Sequence, residues 1–311
     1  MTFSTSEQAA APRRRPRLDS RVTERLVIGL SLTPAFIITL IGTFIFLGWT
    51  VLMSMTDSTL FPSTDFVGLE GYWQIWKYPR WQVAAGNLFT FGPIYMLVCG
   101  VIGIGMAIAI DQNVRGENIF RAIYLYPMAV SFVVAGTIWR WILNPGTGVE
   151  ALVQGMGFES FVFDWITRKD RAIYTVIIAQ VWQHAGFVMA LVLAGLRTVN
   201  RDIINAAMID GAPTHTIYRR VILPSIAPIF VAVFFILSQW ALKTYDIILA
   251  LTGGGPGIAT DVPSIFVRDM MFNRGEIALA SVASVYMLLL LFALMAIYKS
   301  YQVIARRRTK Q

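Results

Sequence analysis

The sequence predicts an all-α polytopic membrane protein with six transmembrane helices and both termini in the cytoplasm. Long charge-free blocks, a sided distribution of Lys and Arg, and breaker-rich segments between the blocks predict it. Of 311 residues, 56% are hydrophobic and 14% charged, and the mean hydropathy is +0.61. Soluble domains are about 25% charged. Here no Asp, Glu, Lys or Arg occurs in 26–56, 81–110, 122–139, 172–196, 221–242 or 277–298. Crossing the hydrocarbon layer takes roughly 20 apolar residues in a helix, and each block meets or nearly meets that length. Helices are expected at about 26–53, 84–110, 119–143, 172–197, 221–250 and 277–300.

The orientation follows from where the basic residues lie. With both termini inside, the inner segments 1–25, 111–121, 197–220 and 299–311 carry 17 of the 26 Lys and Arg. The three outer loops carry seven, while acidic residues lean outward, ten against seven inside. This is the positive-inside bias of a multi-pass protein. It accounts for the net charge of +8 without nucleic acid as a partner; the bilayer is the partner it implies. Residues 1–25, with Arg13, Arg14, Arg15, Arg17, Arg21 and Arg25, read as a disordered basic tail against the anionic inner leaflet. Residues 301–311 read as a basic cytoplasmic end. The apolar run after the tail is about twice a secretory h-region and lacks an A-x-A site, so it is expected to stay in the membrane. Cys99 is the single cysteine, which excludes a disulfide framework or a cysteine metal site.

The connectors are rich in turn residues: Pro62, Gly68, Gly71 and Pro79 in the first outer loop, Asn144-Pro145-Gly146 in the second, Gly253-Gly254-Gly255-Pro256-Gly257 in the third. Trp49, Tyr72, Trp73, Trp76, Trp81, Trp139, Trp141 and Trp165 cluster near the block ends, where amphipathic rings anchor at the headgroup level. Little chain remains for a soluble enzyme domain, and no catalytic residue or metal site is expected.

One inner segment is unlike the others. Asn200 is a good N-cap and Asp202 suits the first turn of a helix. Ile203, Ile204, Ala207 and Met208 form an apolar stripe, Gly211 is a terminator and Pro213 forbids continuation. These residues predict a short amphipathic surface helix over about 201–212. The stretch from Tyr218 to Pro228 gives that helix a wider context. Ala206, Ala207, Asp210, Gly211, Ala212, Tyr218, Val221, Leu223, Pro224 and Pro228 fall on the pattern E-A-A, D-G-A, aromatic, I-x-L-P. The segment therefore resembles the EAA loop of ABC importer permeases. Asn205 stands where the family has Glu, so the docking chemistry of that carboxylate does not carry over; Asp202 lies one turn earlier on the same face.

The resemblance implies a type I ABC importer permease fold over residues 26–300. It further implies that Asn205, Ala206, Ala207, Asp210, Gly211, Ala212, Tyr218, Leu223 and Pro224 couple this chain to a cytoplasmic ATPase dimer. Closure of that dimer would drive rigid-body rocking of the transmembrane helices. The chain holds no G-x-x-x-x-G-K-[ST] phosphate loop, so ATP and Mg are expected on the partner ATPase and this chain is expected not to be an enzyme. A second homologous permease and a periplasmic or extracellular sugar-binding protein complete the implied assembly, in a bacterial inner membrane.

Ala250-Leu251-Thr252-Gly253-Gly254-Gly255-Pro256 also resembles the sugar-type permeases similar to the maltose and glycerol-phosphate importers. Tyr124-Leu125-Tyr126-Pro127 and Leu143-Asn144-Pro145-Gly146 look most like glucose/mannose-type subunits. Polar side chains within membrane helices are costly and mark function. The resemblance matches the family's cargo cavity to Gln180, Gln183, His184, Ser238, Trp240 and Thr244. Each also has a structural reading: Gln and Ser serve as packing glue, and His184 as an interhelical hydrogen-bonding residue. Lys243 and Asp246, spaced i, i+3, are expected to neutralise each other. Other polyol cargoes, a disaccharide or glycerol phosphate, stand as alternatives. An ion-coupled secondary transporter would carry several intramembrane carboxylates, whereas Asp246 alone lies deep in a predicted helix.

Overall fold

The computed structural model describes residues 20–112 and 114–308, with side chains from 28 to 303 except Asn113. Most of the expected basic tail and the last three residues lie outside the described residues. Two compact units divide the chain, residues 1–49 and 50–311. In the first, the described residues form most of α1 (Ser20–Ser54), whose stretch from Ile28 to Ser54 has a mean hydropathy of 2.2.

The second unit is almost wholly helical. Its long elements are α3 (Pro79–Asp111), α7 (Ala172–Leu196) and α14 (Ile277–Arg308), preceded by the short α2 (Glu70–Gln74). Between them lie α4 (Glu117–Ala129), α5 (Phe132–Ile142), α6 (Val149–Gly155), α8 (Arg201–Ile209), α9 (Thr214–Ile217), α10 (Leu223–Ser225), α11 (Ala227–Lys243), α12 (Asp246–Leu251) and α13 (Pro263–Arg268). Among the described residues four helices are long and apolar enough to span a membrane, and up to six spans result when each of two bent pairs counts as one.

The bent pairs correct the expected continuous third and fifth helices. α4 and α5 meet at 99°, and the segment 214–225 meets α11 at 68°. Pro127 lies two residues before the end of α4, and Pro228 falls in the first turn of α11. Proline removes a backbone donor and collides with the preceding turn. Within a bilayer the freed carbonyls need partners from the protein. Gln183 on α7 braces the break: its Nε2 donates to the carbonyl of Pro127 at 2.8 Å, which also accepts from the Val130 amide, and to the carbonyl of Val130 at 2.7 Å.

The core lies where α3, α7, α11 and α12 pack, around Phe91, Tyr95, Val188, Met189, Leu237 and Ile248. Small residues allow the close approach that membrane helices depend on. A Cβ on Gly103 would fall 2.5 Å from Val188, and one on Gly186 would strike the Tyr124 carbonyl oxygen of α4. A second cluster joins the start of α3 to α13 and α14 through Ile75, Trp81, Phe266 and Val282. Trp81 is buried there, edge-on to Phe266 with ring centroids 5.2 Å apart. Its expected place among the interface anchors is thereby corrected: the ring has more apolar surface to bury against α13 than a headgroup layer offers.

The Gly-rich loop after α12 is pinned to α3. Arg80 pairs with Asp261 at 2.5 Å and with Asp269, and Asn87 donates to the carbonyls of Ala259 and Asp261. Gly254 has φ +92°, and a Cβ there would meet Asp261 Oδ1 at 2.5 Å. Only glycine fits both constraints.

Candidate functional site: a cavity at a broken helix and an exposed loop after α7

α11 stops at Lys243 and α12 starts at Asp246, so the run expected to be one helix over 221–250 is broken a second time at Thr244 and Tyr245. Thr244 leaves the helical region with φ −58° and ψ 118°. Its carbonyl accepts from Ser264 Oγ at 2.5 Å, and its own Oγ1 donates back to the Trp240 carbonyl at 2.8 Å. Broken membrane helices expose backbone ends and polar side chains at depth, where transporters place their cargo sites.

A cavity of about 210 Å³ opens at this break, lined by Phe132, Gln180, His184, Trp240, Lys243, Thr244, Tyr245, Asp246 and Ile247. His184 and Trp240 are stacked, with centroids 4.2 Å apart and planes 26° from parallel. Tyr95 Oη lies 2.8 Å from His184 Nδ1. With the tyrosine donating, the imidazole proton is held on Nε2. Gln180 Nε2 reaches Thr244 Oγ1 at 3.4 Å, while Gln180 Oε1 is buried without a partner. The lining thus offers an aromatic face, amide and hydroxyl groups, and one charge of each sign.

Of the six residues expected here, Gln180, His184, Trp240 and Thr244 share the cavity. Gln183 and Ser238 do not line it. The Gln183 amide nitrogen is engaged by the α4–α5 break, and Ser238 Oγ donates to the Phe235 carbonyl at 2.7 Å within its own helix. Lys243 and Asp246 also depart from expectation: among the described residues neither takes part in an ion pair. The helix they were expected to share is broken between them, so i, i+3 proximity on one face no longer holds. Phe132, Tyr245 and Ile247 enter the lining, and Tyr95 stands behind His184. Phe132 opens α5 just past the 99° bend, and no pattern in the sequence announces that bend beyond Pro127.

In the loop that follows α7, Asn200 Oδ1 accepts from the Asp202 amide at 2.8 Å and caps α8. The helix runs Arg201–Ile209, and Gly211 follows with φ +75°. Only part of the expected apolar stripe turns inward. Ile204 and Ala207 pack on the core with Ala212, Tyr218 and Leu223, while Ile203, Met208 and Ile209 are exposed. Asn205, Ala206, Asp210, Gly211 and Pro224 are exposed beside them. Tyr218 Oη donates to Asp111 Oδ2 at 2.7 Å and so ties this loop to the C-terminal end of α3. Arg197 reaches Glu117 at 2.6 Å and ties the end of α7 to the start of α4. No group of three or more His, Cys, Asp or Glu among the described residues is placed to hold a metal ion.

Comparison with known proteins gives this geometry a family. Residues 99–310 match the family model described as "Binding-protein-dependent transport system inner membrane component". A probable ABC transporter permease of Pyrococcus horikoshii is 36% identical over 88% of this chain and 95% of its own length. The xylose/arabinose import permease XacH of Haloferax volcanii is 30% identical, covering 82% of this chain and 81% of its own. The trehalose/maltose permease MalF of Thermococcus litoralis is 28% identical over 78% of this chain and 81% of its own. Among solved structures, a bacterial alginate ABC transporter in complex with an alginate-loaded periplasmic protein has a chain that superposes with TM-score 0.76. That match covers 95% of this chain and 99% of the other at 20% identity, a likeness of fold. The chain belongs to the binding-protein-dependent transport system inner membrane components, as a multi-pass, non-catalytic permease subunit.

Proposed function

We propose that this chain is the permease subunit of an ATP-driven sugar importer in a bacterial inner membrane, and that the cavity at the α11–α12 break holds the sugar. The stacked His184–Trp240 pair on the lining of that cavity, beside Gln180 and Thr244, carries this reading. A sugar presents a C–H face to an aromatic plane and hydroxyls that donate and accept, which Gln180, Thr244 and His184 answer. The names of the relatives, xylose/arabinose and trehalose/maltose, support a carbohydrate. We favour a monosaccharide of the glucose/mannose type, because about 210 Å³ is smaller than the roughly 300–1,000 Å³ of pockets for drug-sized ligands.

The partners in this reading are a second homologous permease, a periplasmic sugar-binding protein on the outer loops, and a cytoplasmic ATPase dimer that binds ATP and Mg. The exposed side of α8, from Ile203 to Ile209 with Asn205, Ala206, Asp210 and Gly211, is where the ATPase docks. Tyr218 and Leu223 pass its movement to α3 and the core. Both termini are then cytoplasmic. Uptake of radiolabelled sugar by cells carrying the assembled transporter tests the cavity: Trp240→Ala and Gln180→Ala are expected to lower uptake at least about tenfold, the loss of one or two buried contacts. Membrane abundance and co-purification of the ATPase should not change. Wild-type uptake in both variants would remove the cavity from the pathway.

A further inference from the structure

We propose that Ser264 is a positioning residue for the cavity at the α11–α12 break. Through it, α12, the Gly-rich loop and α13 form one hydrogen-bonded unit, and contact on the loop governs the cavity. The inference rests on the reading of that cavity as the cargo site and concerns its regulation. Thr244 is only 4% exposed, and its ψ of 118° turns its carbonyl out of the helical register. In an unbroken helix that carbonyl would accept from the amide four residues on. Here Ser264 Oγ donates to it at 2.5 Å. A buried carbonyl needs a donor, so the shape of the break depends on a side chain 20 residues later. Ser264 does not line the cavity; it acts through Thr244, which lines it beside Trp240 and Tyr245.

The far end of the unit is closed as well. Thr252 Oγ1, just past α12, lies 3.0 Å from the Ile248 carbonyl and 2.7 Å from Thr260 Oγ1. The Thr260 amide in turn donates to the Gly254 carbonyl at 3.0 Å. The loop is therefore folded back on the end of α12 and leads directly into α13. Two carboxylates flank α13, Asp261 ahead of Pro263 and Asp269 just after Arg268, and Arg80 of α3 binds both. Ile265 and Phe266 are buried between them. The unit also bears on α5, because a Cβ on Gly136 would fall 2.7 Å from that of Ala250. Coupling travels through such contiguous hydrogen bonds and rigid elements. A sugar-binding protein that presses on the loop would shift α13, and with it the donor that fixes the Thr244 carbonyl.

Amide hydrogen exchange on the purified complex, read by mass spectrometry, tests the unit without any sugar. Ser264→Ala should speed exchange over residues 244–251 about threefold to tenfold, as the loss of one hydrogen bond predicts. Ser264→Thr keeps the hydroxyl and should exchange as the wild type does. Thr260→Val, on the loop and outside the lining, should speed the same amides. Wild-type exchange in Ser264→Ala, no rescue by threonine, or no response to Thr260→Val overturns the proposal. Proteoliposomes holding the whole transporter and its binding protein then give the sugar moved per ATP, with radiolabelled glucose, mannose, xylose and trehalose as probes. Ser264→Ala should lower that ratio about threefold to tenfold, and Ser264→Thr should restore it. If the bond serves stability alone, uptake and hydrolysis fall together and the ratio holds, which overturns the positioning role. Trp240→Ala separates the two levels: a wild-type ratio in that variant too would mean that the cavity is not the cargo site.

Discussion

Arg80 shows how a single residue in this protein carries more than its local structure suggests. Its guanidinium serves two carboxylates, the fully buried Asp261 and the largely buried Asp269. Burial pushes the Asp261 carboxyl above the usual carboxylate range, against the hydrogen bond and charge of Arg80. Burial also pushes on Asp269, but hydrogen bonds from Asn273 and Arg274 and the Arg80 charge outweigh it and hold that group below the usual range. The signs are opposite. Asp269 adds stability that is present above the ordinary carboxylate pKa of about 3.9 and is lost as pH falls through its lowered folded value. Asp261 costs stability as pH rises from that ordinary value through its raised one. Removing the cation exposes both costs, so Arg80→Met should destabilise by about 3–5 kcal/mol at neutral pH and recover part of the loss as the pH falls and Asp261 takes a proton. Thermal unfolding of the detergent-purified complex across that range checks it; a loss independent of pH would show that the clamp acts through packing alone.

At the scale of elements, the molecule is organised by helices that stop where hydropathy alone would continue them. Pro127, Pro228 and the Thr244–Tyr245 turn each end a helical run. The first break is answered by Gln183 and the last by Ser264 on α13. Gln183 illustrates why the site was only partly legible. An amide deep in an apolar helix announces a polar duty, but whether that duty is toward cargo or toward orphaned carbonyls depends on what the chain does at Val130, 53 residues away. The loop around α8 was far more legible, because a cap, a short helix and a glycine stop are local events governed by neighbours in sequence. Gly211 has φ +75°, and a Cβ added to it would have no heavy atom within 4 Å. A side chain there meets only the backbone penalty of the left-handed region, about 1–2 kcal/mol, and whatever docks on the loop. Gly211→Val should therefore insert and assemble normally but lose uptake relative to ATP hydrolysis. Transport and hydrolysis measured on the same preparation give the ratio, and wild-type coupling would refute the docking role.

On the reading proposed above, the whole molecule is one half of a pore. The cavity offers the Trp240 ring and polar side chains from α7, α11 and α12, enough for one side of a sugar, and the loop around α8 leaves Ile203, Met208 and Ile209 exposed. Purification of a tagged copy in mild detergent should bring down an ATPase and a second, different permease, and addition of the transported sugar with its binding protein should stimulate ATP hydrolysis. Recovery of this chain alone under conditions that preserve other importers would count against the assembly.

The order of apolar blocks, the sided charge and the 205–228 pattern determined by themselves that this is a helical membrane protein of a known transporter family. Those are signals of composition and short-range spacing, set by the cost of polar groups in hydrocarbon. Only the tertiary structure decided that two spans are bent, that Trp81 is core, that Gln183 and Ser238 serve backbone carbonyls, and that Lys243 and Asp246 stand apart on one cavity. Apart from Ser238, which bonds within its own helix, those outcomes depend on which distant segment packs against a bend, a ring or a polar tip, and that choice is made between helices far apart in the chain.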